Sequence, residues 1–189
     1  MSKYPVWFTP FANPNFEKHL MRYANKPNLK FLQLGTFTGD ASVWLLDNVL
    51  TNQTSILYDV DTWRGSDEKA HEVFDFDDVH LEYRRKTSKY NNVSSHEMDT
   101  VTFMAERRAN TYDFIYIDAD HSAAGVISDA IHAWRVLKPG GLMAFDDYKW
   151  EHEDGELYMP IKAVDFFLWA FSNQLKVIDI NQQVWVEKL

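Results

Sequence analysis

Four short apolar segments alternate with helical segments, and this alternation constrains the fold of the chain more than any other feature. The apolar segments are Lys30–Gly35, Thr54–Val60, Tyr112–Asp118 and Gly141–Asp147. Helical apolar spacing covers Asp40–Leu50 after the first segment and about Ala123–Val136 before the last, where Lys-Pro-Gly-Gly ends the helix. Short apolar strands that alternate with helices predict a parallel sheet with both faces covered.

The end of the chain shows a different pattern. Leu175–Ile180 and Gln183–Leu189 are strand-like, and the two residues between them permit a hairpin but not a crossover helix. A helix over about Leu157–Phe171 precedes this pair. We therefore predict an α/β, doubly wound, mostly parallel sheet that finishes with two antiparallel strands.

Length and composition indicate one globular domain over residues 1–189. Hydrophobic residues make up 46% of the chain and charged residues 25%, a balance typical of globular proteins. An N-terminal arm, residues 1–28, holds four prolines and a short predicted helix near Phe16–Tyr23. A second unusual region, residues 62–90, is too long for a simple loop. It predicts one or two inserted helices, which would form a lid, a substrate wall or a solvated surface.

Charge and cysteine content limit the function classes. The formal net charge is −9, which disfavours a nucleic-acid partner because phosphate backbones are repelled. The chain has no cysteine, which excludes disulfides and a cysteine nucleophile and fits a reducing compartment such as the cytoplasm. No segment reaches the roughly 18 apolar residues of a membrane span. The aromatic-rich arm leaves packing on a second copy of the chain open.

A glycine turn follows the first predicted strand and opens a helix. It reads Gly35-Thr36-Phe37-Thr38-Gly39. Such a turn lets the backbone approach a ligand closely and presents the N–H groups of a helix start. The spacing is G-x-x-x-G and not G-x-G-x-x-G, so a nicotinamide dinucleotide is disfavoured. A plain tight turn is the alternative interpretation.

Two aspartates close the second predicted strand. A carboxylate at this position lies near the crevice where such sheets bind ligands, and it can accept hydrogen bonds from both hydroxyls of a ribose. Asp61 lies just past the strand and is the preferred candidate for this role. The alternative is that Asp59 contacts the ribose while Asp61 caps the following segment.

Acidic residues also end the third and fourth apolar segments, at Asp118-Ala119-Asp120-His121 and at Asp146-Asp147. If those strands are neighbours, carboxylates converge there, and a divalent cation such as Mg²⁺ relieves their repulsion. Asp118, Asp146 and Asp147 are the candidate ligands. His121 or Asp120 is the candidate proton acceptor. The alternative is that these aspartates cap helices or bind loops.

Three segments together resemble a known family. FLQLGTFTGDASVWLL, YDFIYIDADH and LKPGGLMAFDDY are similar to motifs of class I S-adenosylmethionine-dependent methyltransferases, and the resemblance runs from about Lys30 to the C-terminus. The second and third motifs resemble the metal-dependent small-molecule O-methyltransferases. That group acts on macrolide and aminocoumarin sugars, with the catechol and caffeoyl-CoA enzymes as more distant members.

This resemblance implies a Rossmann-like sheet of seven strands with a reversed last strand. It implies Mg²⁺ on Asp118, Asp146 and Asp147, with Asp120 or His121 as general base. The residues expected to hold S-adenosylmethionine are Gln33, Gly35, Thr36, Phe37, Gly39, Asp61, Asp99 and Asp118. Gln33 stands where the family usually has glutamate, and Asp99 is the candidate for the adenine side.

The expected reaction is Mg²⁺-assisted O-methylation of a small hydroxylated acceptor. A metal-independent methyltransferase of the same fold and a non-catalytic cofactor-binding module are the alternatives.

Overall fold

The computed structural model describes residues 3–66, 71–152 and 155–189. Within them the strands are β1 (Lys30–Leu34), β2 (Ile56–Asp61), β3 (Val93–Glu97), β4 (Tyr112–Ile117), β5 (Leu137–Phe145), β6 (Leu175–Ile180) and β7 (Val184–Lys188). The α-helices are α1 (Phe8–Phe11), α2 (Asn13–Leu20), α3 (Asp40–Asn48), α4 (Phe76–Thr87), α5 (Thr100–Ala105), α6 (Ala123–Val136) and α7 (Pro160–Ala170). Short 3₁₀ turns cover Met21–Tyr23 and Glu156–Tyr158.

The seven strands form one sheet in the order β3-β2-β1-β4-β5-β7-β6. The first five in this order pair in parallel, whereas β7 runs antiparallel to both β5 and β6. The prediction of a mostly parallel, doubly wound α/β sheet that ends in an antiparallel hairpin is therefore confirmed. Strands β4 and β5 are neighbours in this sheet, and the prediction that the acidic strand ends converge depends on this.

Alternate residues of the central strands face opposite sides of the sheet. In β1, Leu32 and Leu34 join one buried cluster with α5, α6 and α7, while Phe31 joins a second with α2 and α3. The same alternation separates Ile115 from Phe114 in β4. Because both faces are covered, both sets of side chains are apolar, and the strands appear as continuous apolar runs in the sequence.

The structure adds one strand that the apolar pattern does not reveal. β3 reads Val-Ser-Ser-His-Glu, lies at the edge of the sheet and has no fully buried residue. β5 also begins earlier than the predicted Gly141. Leu137 already pairs with Tyr112, and a register shift then accommodates Pro139 and the two glycines that follow. The helix nevertheless ends at Val136, as the Lys-Pro-Gly-Gly sequence predicts.

The arm is more ordered than its four prolines suggest. It forms α1 and α2, and Phe16 and Leu20 are completely buried, with the Phe16 ring 4.9 Å from Tyr116. The insertion contains one α-helix, α4, among its described residues, while Asp67–Ala70 of that prediction lie outside them. Packing of the arm on a second chain stays a prediction. In the described ranges, no helix combines the length and apolar character needed to cross a membrane.

Candidate active site

The carboxyl ends of four adjacent strands form the floor of the site. Backbone hydrogen bonds join the first residues beyond them: Gly35 N donates to Val60 O at 2.9 Å, Asp118 N to Leu34 O at 2.9 Å, and Asp146 N to Ile117 O at 3.0 Å. The glycine turn and the two acidic strand ends are thus side by side. Ligands of open α/β sheets bind at such an edge.

Gly35 cannot be replaced by a larger residue without moving the backbone. Its φ is +80°, and a Cβ atom built on it would lie 1.9 Å from the carbonyl oxygen of Asp118. The turn after β1 therefore touches the chain after β4 directly, which explains the glycine at the first position of the motif.

Asp61 holds the glycine turn against the end of β2. Its Oδ2 accepts hydrogen bonds from the backbone N–H groups of Thr36 at 2.7 Å and Phe37 at 3.1 Å. Its Oδ1 accepts from the backbone N–H of Trp63 at 2.7 Å. The carboxylate also lines the cavity described below. Binding of a ribose by Asp61 stays a prediction, and the structure adds a role in shaping the turn.

Three bulky or acidic residues around the site have left-handed backbone conformations. The φ angles are +47° for Phe37, +46° for Trp63 and +52° for Asp147. Asp tolerates this conformation, but Phe and Trp are strained in it. Strained backbone of this kind is concentrated at functional sites. The Nε1 of Trp63 donates to the carbonyl oxygen of Phe37 at 3.1 Å, so the two strained residues support each other.

Asp59, the alternative ribose candidate, lies beneath the turn and not in the cavity. It is completely buried, and the hydroxyl of Tyr83 donates to its Oδ2 at 2.8 Å. Burial raises the pKa of Asp59 to about 7, opposed by the hydrogen bond from Tyr83. Gly39, also predicted to hold cofactor, faces the same tyrosine, since a Cβ there would lie 2.8 Å from the Tyr83 ring.

Helix α4 of the insertion is anchored on the glycine turn. Besides the contact of Tyr83 with Asp59, the Nζ of Lys86 donates to Thr38 Oγ1 at 2.9 Å and to Asp40 Oδ1 at 2.7 Å. These contacts make α4 a supporting wall of the turn. Whether any part of the insertion opens as a lid stays a prediction.

Gln33, at the position usually held by glutamate, is buried behind the turn. Its Nε2 donates to the carbonyl oxygen of Gly35 at 3.0 Å, and its Oε1 accepts from the hydroxyl of Ser42 at 3.3 Å. An amide can bond both groups because it donates and accepts, which a carboxylate cannot do.

Asp118, His121 and Asp147 form the group best suited to a metal among the described residues. One donor atom from each lies within 4.8 Å of the others. The Nε2 of His121 is 3.1 Å from Asp147 Oδ2 and 3.6 Å from Asp118 Oδ1. Both aspartates are ligands predicted from the sequence, whereas the sequence predicts His121 only as a base.

The carboxylates repel one another. Burial, followed by the charge of Asp146, raises the pKa of Asp118 well above its usual range. Burial and the charge of Asp147 raise the pKa of Asp146 to about 6, although hydrogen bonds from Tyr116 and Gln183 oppose this. Such crowding disfavours the ionised forms, and a divalent cation among them would restore them.

Two hydrogen bonds fix the orientation of the carboxylate of Asp146, the third predicted metal ligand. The hydroxyl of Tyr116 donates to its Oδ2, and the Nε2 of Gln183 donates to its Oδ1 at 2.9 Å. Each carboxylate oxygen has a second lone pair, so these bonds leave capacity for a cation. Neither Tyr116 nor Gln183 was identified as a site residue from the sequence.

Asp120 and Asp99 have structural roles at helix starts. Asp120 accepts from the backbone N–H of Ser122 at 2.8 Å and from its hydroxyl at 3.0 Å, just before α6. Asp99 caps α5 by accepting from the N–H of Thr102 at 2.9 Å. His121 contacts the acidic group through Asp147 and Asp118. The choice between Asp120 and His121 as the base stays a prediction.

Nearly all the predicted site residues line one cavity of about 1140 Å³. Those that line it are Gln33, Gly35, Thr36, Phe37, Asp61, Asp99, Asp118, Asp120, His121, Asp146 and Asp147, whereas Gly39 is not part of its lining. It also contains the buried Asp129, which sequence reasoning missed. Thr100 Oγ1 donates to Asp129 at 2.6 Å, and burial raises the pKa of Asp129 to about 6. Asp129 lies on a helix with no motif to mark it.

Aromatic side chains line two sides of this cavity. On one side the Trp7 ring of the arm lies 4.9 Å from Phe37, and His71 stacks on Phe37 at 6.2 Å. On the other side, the Trp150 ring lies 5.3 Å from His121. The arm, through Trp7, and the insertion, through His71, therefore both contribute to the wall of the cavity.

Comparison with known proteins agrees with this architecture. A family model described as a methyltransferase domain matches residues 32–148. Among curated proteins the sequence has no significant match.

Three solved structures illustrate the similarity in fold. A putative rRNA-methylase from Clostridium thermocellum is 11% identical, with a TM-score of 0.69 over 95% of this chain and 96% of that one. A putative methyltransferase from Streptococcus mutans, solved with SAH, is 15% identical with a TM-score of 0.65 over the full length of both chains. The MycE methyltransferase of the mycinamycin biosynthetic pathway, solved with Mg and SAH, is 16% identical with a TM-score of 0.63.

The MycE alignment covers 99% of this chain but only 51% of MycE, so the present chain spans about half of that protein. The family match covers both the glycine turn and the acidic strand ends, and it confirms the resemblance to class I methyltransferases, whereas the resemblance to the metal-dependent O-methyltransferases stays a prediction. The chain belongs to this family of methyltransferase domains, and it is a class I S-adenosylmethionine-dependent methyltransferase.

Proposed function

We propose that this methyltransferase transfers a methyl group to a hydroxyl of a small acceptor, assisted by Mg²⁺. The observation that carries the proposal is the one cavity that contains both the glycine turn and the group of Asp118, His121 and Asp147. Its volume of about 1140 Å³ exceeds the roughly 300–1,000 Å³ typical of a site for one ligand. Cofactor and acceptor therefore have room side by side.

The cofactor would lie over the glycine turn. Gly35 permits close approach, and Thr36 and Phe37 shape the loop that Asp61 fixes. We place the ribose next to Asp61 and the adenine towards Asp99, as the motif resemblance implies. The neighbours solved with SAH, one of which also holds Mg, support binding of this cofactor.

The donor set fits a divalent cation. Asp118 and Asp147 offer carboxylate oxygens and Asp146 lies beside them, while burial, followed by the charge of Asp146, raises the pKa of Asp118. Oxygen ligands of this kind suit Mg²⁺ or Mn²⁺. A bound cation would lower the pKa of the acceptor hydroxyl and orient its oxygen.

Methyl transfer is a direct displacement: the S–CH₃ bond breaks as the O–CH₃ bond forms. The enzyme mainly holds the sulfur, methyl carbon and acceptor oxygen in line. In this proposal His121, whose Nε2 lies 3.1 Å from Asp147, takes the hydroxyl proton on its imidazole.

We expect a small molecule and not RNA as the acceptor, although one neighbour is described as a putative rRNA-methylase. The net charge of −9 opposes binding of a phosphate backbone. The aromatic walls around Trp7 and Trp150 suit a compact organic acceptor.

One alternative rests on a specific observation. The contact between His121 and Asp147 is also the arrangement of a base oriented by a carboxylate, which needs no metal. A metal-independent O- or N-methyltransferase would use it directly.

The test is a screen of methyl transfer from labelled S-adenosylmethionine to a panel of phenols, catechols and sugars. We expect turnover that EDTA abolishes and that Mg²⁺ restores. Full activity in the chelator would remove the metal from the proposal. Tight SAH binding without turnover on any acceptor would favour a non-catalytic module.

A further inference from the structure

Gln183 links the terminal hairpin to the acidic end of β5. It lies in the turn before β7, and its side chain is completely buried. Its Nε2 donates to Oδ1 of Asp146 at 2.9 Å and lies 3.4 Å from the hydroxyl oxygen of Tyr116. A buried amide in contact with a predicted metal ligand can set the orientation of that ligand.

The neighbours of Gln183 determine which end of its amide faces Asp146. The indole N–H of Trp185 can only donate, and it lies 2.9 Å from Gln183 Oε1. That atom must therefore be the oxygen. The NH₂ group then points to Asp146, whose carboxylate can accept its hydrogen bond.

A second, independent chain of bonds gives the same orientation. The backbone N–H of Gln183 donates to Asn181 Oδ1 at 2.9 Å, which fixes that atom as an oxygen. The Asn15 atom that faces Asn181 Oδ1 at 2.9 Å is therefore nitrogen. This same Asn15 Nδ2 donates to Gln183 Oε1 at 2.9 Å. Two donor-only groups thus fix every amide in the network.

The network leaves Asp146 little freedom to rotate. Gln183 donates to Oδ1 and Tyr116 to Oδ2, so both oxygens are held, and the four lone pairs of the carboxylate leave capacity for a ligand. Asn15 belongs to the N-terminal arm and Gln183 to the hairpin, so two distant parts of the chain meet behind this one carboxylate.

We propose that Gln183 is a positioning residue that orients Asp146 towards the cation site, with its own amide fixed by Trp185 and Asn15. This inference rests on the proposed function, because it requires a cation beside Asp146. It predicts that loss of the Gln183 amide weakens metal binding without weakening cofactor binding.

The test is the Mn²⁺ affinity of Gln183→Met in the presence of SAH, measured by electron paramagnetic resonance below the melting transition. Met has a similar length but donates no hydrogen bond. We expect the dissociation constant for Mn²⁺ to rise about 10- to 100-fold, the usual range for loss of a group that supports a metal ligand. The dissociation constant for SAH, measured by calorimetry, stays at the wild-type value. Gln174→Met, the same change at an exposed glutamine before β6, is the matched control.

Trp185→Phe provides a second route if Gln183→Met does not fold. It keeps a ring beside Phe114 but removes one of the two donors to Gln183 Oε1, so we expect a smaller rise in the Mn²⁺ dissociation constant. Wild-type Mn²⁺ affinity in the folded variants would overturn the positioning role alone. Failure of the wild-type protein to bind Mn²⁺ with SAH would overturn the metal-assisted function and this inference together.

Discussion

The Nε2 atom of His121 lies 3.1 Å from Oδ2 of Asp147, and the same imidazole lies 3.6 Å from Asp118. The imidazole therefore lies beside the two carboxylates that we propose hold the cation and, through it, the acceptor oxygen. This position suits the removal of a proton from an acceptor hydroxyl, the role that we propose for His121.

Replacing His121 by Asn should lower the rate of methyl transfer to an acceptor found by the screen. A general base typically contributes about 10²–10⁴-fold, so we expect a loss of at least about 100-fold in kcat. The affinity for SAH should stay near wild type, because His121 faces the acidic group. Initial rates and calorimetry measure the two quantities.

His132→Asn on α6 serves as the control, because its ring bonds the backbone of its own helix at Ser128 O. If Asp120 were the base, Asp120→Asn would show the large loss in kcat and His121→Asn would not.

The sequence predicted those parts of the fold and site that depend on local pattern. Strands β1, β2, β4 and β5 are apolar because both faces of the sheet are covered. Each of them ends at or just before a glycine or an aspartate, and these residues indicate where the strand reaches the edge of the sheet. The sequence predicted that Asp118 and Asp146 lie close together, because the carboxyl ends of neighbouring parallel strands lie at the same edge of a sheet.

The parts that the sequence did not reveal depend on tertiary contact. β3 has a polar sequence because it lies at an edge, so no apolar run marks it. Gln183 contacts Asp146 across 37 residues of chain, and Tyr83 contacts Asp59 across 24. Neither contact corresponds to a local sequence pattern, so both are visible only in the folded structure.

Gly35→Ala should destabilise the protein and weaken cofactor binding. Gly140→Ala is the matched control, because Gly140 also has positive φ, at +75°, but has no atom within 4 Å of a built Cβ. We expect Gly140→Ala to cost about 1–2 kcal/mol for its backbone conformation alone. Gly35→Ala adds the clash with Asp118, so its loss should be larger, with SAH affinity reduced about tenfold or more. Urea unfolding and calorimetry measure both, and equal effects for the two variants would refute the steric argument.

Asp61→Asn should weaken SAH binding by about 10- to 100-fold, which corresponds to about 1.5–3 kcal/mol for bonds to a charged group. The reason is that both carboxylate oxygens accept backbone N–H groups, whereas an amide offers only one acceptor. Asp113→Asn is the control. Asp113 also accepts a backbone N–H, from Lys30, but it lies at the opposite end of the strands. A normal SAH affinity in Asp61→Asn would contradict this role.

The buried carboxyl of Asp59 should make stability depend on pH. Burial raises its pKa in the folded protein to about 7, whereas in the unfolded chain it is near 3.8. The folded state therefore binds more protons between these values. Its contribution to stability is fully present below about pH 4 and is lost as the pH rises through about 7. Asp59→Asn should remove this part of the slope, as urea unfolding from pH 4 to 8 would show.

Tyr83→Phe tests the same buried pair from the other side. The Tyr83 hydroxyl stabilises the ionised form of Asp59, so its removal raises the pKa of Asp59 further. The variant should lose about 1 kcal/mol of unfolding free energy at pH 5, where Asp59 is protonated, and about 1.5–3 kcal/mol at pH 8, where the bond is to a charge. In Tyr90→Phe the lost bond is to the exposed Asp47, so the change should be small at both pH values. An equal loss for Tyr83→Phe at pH 5 and pH 8 would show that Asp59 does not ionise beneath the glycine turn.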